Sequence, residues 1–359
     1  MAYAERVLSG RGSVSSWQSP WLLNRTWDLT YISLSVILVP TPFILFAILQ
    51  RTGILVNVID SSAAVDIIVA LIVGGPHMTS TYTLTFLDRN FTRRHPTYVA
   101  LAFVLPVMVT FLGIVNLALL VTIFMLWASV HVLHQIAYIT DCYRTKGSDF
   151  HSLFSRAIDY GVIFSSLYPL AMIKLVENRF VIGGTHVTIP LILNQYYMIY
   201  LANIVFACFL TLFVAKTYLE YQQRRANFPK TLLVAITVGL CYIIPTADNL
   251  DVAFQGMNVW HSVQYLGLTW YLNSLRQEHG AITSPVVDRI SGPKRGPLYY
   301  LFNLALTLGA GAMVILLYLA FHVSWIQSYY IVILSCLLIH YYFDHFMFMK
   351  VGELVGSET

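Results

Sequence analysis

Charge is what this sequence has least of. Asp, Glu, Lys and Arg make up 11% of its 359 residues, against roughly 25% in a soluble globular domain. The hydrophobic share is 57% and the mean hydropathy +0.68. So little charge cannot coat a water-facing surface, which excludes a soluble domain and leaves an integral membrane protein. Cysteine is scarce too. The four (Cys142, Cys208, Cys241, Cys336) include no C-x-x-C pair, so neither a disulfide framework nor a zinc knuckle is indicated. A cleavable signal is not expected, because "MAYAERVLSGRGSVSSWQSPW" has no apolar centre. No internal repeat is evident, and the net charge of +4 is too small to suggest nucleic acid or a soluble partner.

What is present is apolar sequence in long runs. A hydrocarbon core of ~30 Å takes about 20 apolar residues per helix. Ten such runs are predicted, at 27–50, 63–85, 97–115, 118–140, 157–175, 188–215, 230–246, 250–274, 299–321 and 326–349. The third and fourth are parted only by Gly113 and Asn116, which demands a tight turn. Positive charge should crowd the cytoplasmic side. Ten spans with the N-terminus inside leave Arg51, Lys174 and Arg179 outside and the other 18 of the 21 Lys and Arg inside. Merging the third and fourth runs would spoil that split. The expected fold is therefore all-α, with about ten transmembrane helices and both termini cytoplasmic. The chain 1–359 is one polytopic membrane domain, with a cytoplasmic segment at 1–26 and a cytoplasmic loop at 276–297. A bacterial inner (plasma) membrane is the expected location.

Histidines mark the even-numbered runs: His77 on the second, His131 and His134 on the fourth, His261 on the eighth, His340 and His345 on the tenth. Odd runs carry none. At ~1.5 Å per residue these side chains share the middle and inner part of the bilayer. Polar groups there are costly and usually face a bundle interior. One buried histidine is as well explained by a hydrogen bond to a carbonyl as by a function. Four helices placing imidazoles in one depth band point to a bound transition metal, for which imidazole is the common ligand. His131 and His134 are i,i+3 and share a face. His345 lies about 140° round the helix from His340, so both reach one ion only with strain. Asp344 at i+4 from His340, Gln135 beside His134, and Gln264 at i+3 from His261 are candidates to hold the second imidazole nitrogen. Asp344 is alternatively an oxygen ligand, or a charge close to the inner surface. Tyr138 and Tyr265, each at i+4 from a histidine, join Asp344 as candidate catalytic side chains. Before His77, Gly74, Gly75 and Pro76 either kink the span or let a neighbouring helix approach closely. Thr79, Ser80, Thr81 and Thr83 follow and are placed to satisfy backbone groups freed there.

The strings "GGPH", "VHVLHQIAYITD", "WHSVQYL" and "HYYFDHF" together resemble those of the bacteriorhodopsin-related family of membrane β-carotene 15,15′-dioxygenases. The resemblance implies an all-helical multispanning fold in which histidines on several spans hold iron that activates O2 to cleave a polyene. It matches a "PHG…D"-like string to Pro76, His77 and Asp88. An "HFG…D"-like string matches His134 and Asp141, or His131, and a "WHS"-like string matches Trp260, His261 and Ser262. The sequence departs from the family at Met78, where the family has glycine. It also lacks the family's later H-x-x-x-H pair, because His261 stands alone on its helix and His340 and His345 are five apart. The H-x-x-H-H boxes of membrane desaturases are absent.

Three functions follow as expectations. The first is an iron-dependent oxidase or oxygenase with His77, His134, His261 and His340 as ligands, and His131 and His345 as alternates or holders of a second ion, using O2 on a hydrophobic lipid or polyene that enters from the membrane. The abundant aromatics (23 Tyr, 21 Phe, 7 Trp) suit a pocket for such a molecule. The second is a zinc hydrolase cutting a lipid amide or ester, with Asp344 as base. The third is a non-enzymatic subunit ligating haem or chlorophyll. Copper remains an alternative metal.

Overall fold

In the computed structural model the described residues are 19–54, 59–146 and 153–349, with the side chains at 345 and 346 also left aside. The elements in chain order are α1 (Arg25–Thr52), α2 (Ser61–Thr83), α3 (Arg89–Arg94), α4 (Pro96–Val115), α5 (Leu117–Lys146), α6 (Leu153–Val176), β1 (Val181–Ile182), β2 (Thr185–His186), α7 (Tyr196–Gln222), α8 (Phe228–Thr246), α9 (Leu250–Glu278), α10 (Pro285–Ile290), α11 (Gly296–Ala320) and α12 (Trp325–Met349). Among the described residues the fold is all-helical apart from one small hairpin. There β1 pairs antiparallel with β2 through Gly183 and Gly184, both at positive φ, where a side chain would be strained.

Nine of these helices among the described residues are long and apolar enough to cross a membrane. Ten runs were expected, and the expected eighth is the one not counted. Its helix forms in full as α9, 29 residues long, but Gln255, Asn258, His261, Gln264 and Asn273 interrupt its apolar sequence. All of these but Asn258 are buried. Polar residues lower its hydropathy because protein rather than lipid surrounds it. The opposite case is α4, whose outward side chains include Phe103, Val107, Phe111 and Ile114, all more than half exposed. Such a face suits only hydrocarbon. The tight turn between α4 and α5 falls on Asn116, whose extended backbone ends one helix while its Oδ1 accepts from Leu119 N at 3.0 Å to start the next.

The described chain groups into two compact units. One comprises residues 63–120 and 258 onward. Within it α12 packs on α4, α11 on α2 and on α12, and α12 on α2. The other comprises residues up to 62 and 121–257. Within it α7 packs on α6, and α8 on α1 and α6. Several of its buried charges are paired. Asp159 meets Arg144 and Lys216, with Lys230 Nζ at 3.6 Å, and Asp141 meets Arg156 at 2.6 Å. A buried charge without such partners would be strongly destabilising. This unit also holds an apolar cavity of about 110 Å3 whose walls include Leu133, Ala171 and Met257.

Candidate metal centre

The site lies in the first unit and begins with the backbone of α2. Pro76 has no N–H to offer the carbonyl four residues earlier, and its ring crowds that carbonyl. The helix answers by widening over Ala70–Gly74, where Gly75 N reaches back to Ala70 O. The carbonyl of Ile72 is taken up instead by the Tyr300 hydroxyl from α11, at 2.7 Å. The two glycines are also close-packing positions. A Cβ on Gly74 would lie 3.1 Å from Asn258 Nδ2, and one on Gly75 would run into the Thr307 side chain and the Ala70 carbonyl. Kinking and close approach, the two readings of "GGPH", both operate.

That widened turn aims His77 inward. Its Nδ1 sits 2.5 Å from Gly74 O, so Nδ1 carries the proton and donates it, leaving the Nε2 lone pair directed away from α2. Ser262 Oγ lies 3.0 Å from the same Nδ1 and donates to Asn258 Oδ1 at 3.1 Å. His77 Nε2 stands 3.2 Å from His340 Nε2 on α12. The His77 ring lies edge-on to those of His340 and His261, with centroids 4.7 and 5.1 Å away. One nitrogen from each of the three histidines falls within 4.8 Å of the others. His340, His77 and His261 are 0, 1 and 3% exposed.

Behind His340 lies a second layer. Its Nδ1 is 2.6 Å from Thr81 Oγ1 and 3.3 Å from Asp344 Oδ1. The Tyr265 hydroxyl donates to Asp344 Oδ1 and stands 2.5 Å from Thr81 Oγ1. Thr81 Oγ1 is itself 3.3 Å from Asp344 Oδ1. Asp344 is therefore no surface charge: it is 1% exposed and supports the far side of an imidazole. Further along, Ser80 donates to His77 O and Thr83 to Ser80 O, each at 2.6 Å, as expected of hydroxyls that follow a kink. The end of the unit's α2–α9 interface is tied by the buried pair Arg276–Asp88. Asp88 also caps α3 through Asn90 N at 2.7 Å.

No protein family, curated protein or solved structure matches this chain.

The predicted ligands His77, His261 and His340, from three helices, are thus brought together, with Tyr265 and Asp344 beside them. Gln264 is fully buried on α9. His131, His134, Gln135 and Tyr138 lie on the part of α5 that belongs to the second unit. All but His134 are buried there. The His345 side chain lies outside the described residues. Sequence reasoning gave Thr81 only a backbone role and assigned none to Ser262. Spacing gave no signal for either contact: Thr81 meets His340 and Ser262 meets His77, each on a different helix.

Proposed function

We propose that His77, His261 and His340 hold a transition-metal ion, and that the protein is a membrane oxidase or oxygenase. One observation carries the metal reading. His77 commits its proton to Gly74 O through Nδ1, and its bare Nε2 faces His340 Nε2 at 3.2 Å. Two imidazole nitrogens bound to one ion at about 2.0–2.1 Å each stand roughly 2.8–3.4 Å apart for angles between octahedral and tetrahedral. The observed spacing falls in that range, which supports reading the two as neighbouring ligands on one cation. A bare ion fits better than haem, because a porphyrin between two of these rings would occupy the space filled by the third.

Three neutral imidazoles leave positions open on the ion, and iron so ligated supplies redox chemistry with O2 when bound. The protein's own part is to fix three imidazole nitrogens and keep them dry. Asp344 Oδ1 is engaged by Tyr265, Thr81 and the Nδ1 side of His340, so this oxygen braces a ligand. Oxidation is put before zinc hydrolysis on the resemblance alone, and the metal found decides between them. The substrate is proposed to be a hydrophobe delivered by the bilayer, a lipid or polyene, in line with the resemblance to carotene dioxygenases.

Elemental analysis of the purified protein tests the reading. Near-stoichiometric iron is expected, falling by most of its amount in His77→Ala and in His261→Ala. O2 uptake with a polyene or unsaturated lipid should fall with it. Unchanged metal in both variants sinks the cluster. Zinc at full occupancy with no O2 uptake moves the chemistry to hydrolysis.

A further inference from the structure

Thr81 differs from its neighbours Ser80 and Thr83 in where its hydroxyl goes. Ser80 and Thr83 bond to the carbonyl at i−3. Thr81 Oγ1 instead meets three side chains from two other helices: Tyr265 Oη at 2.5 Å, His340 Nδ1 at 2.6 Å and Asp344 Oδ1 at 3.3 Å. It is 2% exposed, so these contacts are not a surface accident.

The protons in this group can be counted. Tyr265 spends its only hydroxyl proton on Asp344 Oδ1. Thr81 has one proton as well, and two oxygens to take it, Tyr265 Oη at 2.5 Å and Asp344 Oδ1 at 3.3 Å. With its own proton spent, Thr81 Oγ1 meets Nδ1 of His340 at 2.6 Å as an acceptor. Nδ1 is then the protonated nitrogen, and Nε2 carries the lone pair. The chain of donation runs from His340 to Thr81 and on to Asp344, both directly and through the Tyr265 hydroxyl of α9. From this geometry we infer that Thr81 is a positioning residue of the metal centre: its hydroxyl fixes the tautomer and ring angle of His340 and couples the imidazole to Asp344. This rests on the metal reading above and adds to it the group that makes His340 a ligand. A carboxylate alone does this in many metal sites. Here Nδ1 is closer to the threonine than to the carboxylate, so the hydroxyl is the first contact.

The test uses the whole protein in detergent or nanodiscs, freed of metal and titrated with Co2+, whose absorption and hyperfine-shifted proton spectrum report the ligands directly. Thr81→Val keeps the shape and removes the hydroxyl. It is expected to weaken Co2+ binding about 10- to 100-fold, the usual effect of losing a group that orients a ligand. It should also abolish or speed the solvent exchange of one shifted imidazole N–H signal, that of His340. Thr81→Ser restores the hydroxyl, and should bind within about threefold of wild type and recover the signal. If Thr81→Val binds Co2+ like wild type with every N–H signal intact, or if Thr81→Ser is as poor as Thr81→Val, the inference is overturned while the metal centre stands. A wild-type protein that takes up no Co2+ overturns the metal reading itself, and this inference with it.

Discussion

Asp344 illustrates how one buried side chain serves several others. It accepts from Tyr265 and from Thr81, and it stands 3.3 Å from His340 Nδ1. Truncating it would leave buried donors facing no acceptor, which costs about 1–3 kcal/mol. Removing the Tyr265 hydroxyl takes a donor and its need away together. Asp344→Ala is therefore expected to lower stability by at least about 1 kcal/mol, and Tyr265→Phe by less, in thermal melts of the purified protein. Equal losses would mean that Asp344 does not act as the common acceptor. At this scale the sequence was legible where chemistry is carried by rare residue types. Histidines at His77, His261 and His340 stood out because imidazole is unusual in apolar helices, and Asp344 stood out by its spacing. Thr81 was not legible, since a threonine after a kink satisfies the backbone as readily as a side chain. Only the positions of α9 and α12 around it show where its hydroxyl goes.

Within the unit that holds the site, α2 departs from a plain membrane helix in its backbone and α9 in its polar content, and both departures serve the site. The widened turn of α2 at Ala70–Gly74 follows from Pro76, and it is what turns the Gly74 carbonyl toward His77 Nδ1. Gly75 lets α11 approach so closely that a Cβ there has no room beside Thr307 and Ala70 O. Gly75→Ala is expected to destabilise by about 1–3 kcal/mol, the usual cost of overpacking. Gly75→Ala with Thr307→Ala should recover part of that loss, while the backbone clash at Ala70 O keeps the recovery incomplete. Thermal melting of the single and double variants checks this, and full tolerance of Gly75→Ala would remove the close-packing role. For these elements the sequence announced that α2 would be irregular, because Gly-Gly-Pro in mid-span admits little else. It could not say which neighbour exploits the irregularity, since Tyr300 and Thr307 are distant in the chain. The β1–β2 hairpin was hidden for a different reason. Two-residue strands are too short for an alternating pattern to be visible.

For the molecule as a whole, the class of fold was legible from composition alone, because a chain with so few charges has only helices or a closed barrel available in lipid. Counting the crossings is harder, and α9 is where the difficulty sits. Nine helices qualify by length and apolar content among the described residues, and α9 fails only through residues that are mostly buried. A helix of 29 residues at ~1.5 Å per residue is about 43 Å long, more than the ~30 Å of a hydrocarbon core. Its polar groups find partners within the protein: Ser262 with Asn258, Thr269 with Ser80, Asn273 with Thr83 and Arg276 with Asp88. Hydropathy charges each of these residues the full cost of exposure to lipid, and the buried contacts remove that cost. Counting α9 as a crossing gives ten and returns the basic loops to one side. A topology reporter fused after residue 186 should then read outside and one after residue 290 inside. Only the three helices α7, α8 and α9 lie between the two fusion points. Three crossings put the reporters on opposite sides, and two put them on the same side. Matching signals at 186 and 290 would therefore show that α9 does not span, and would remove the shared depth on which the meeting of His261 with His77 and His340 depends.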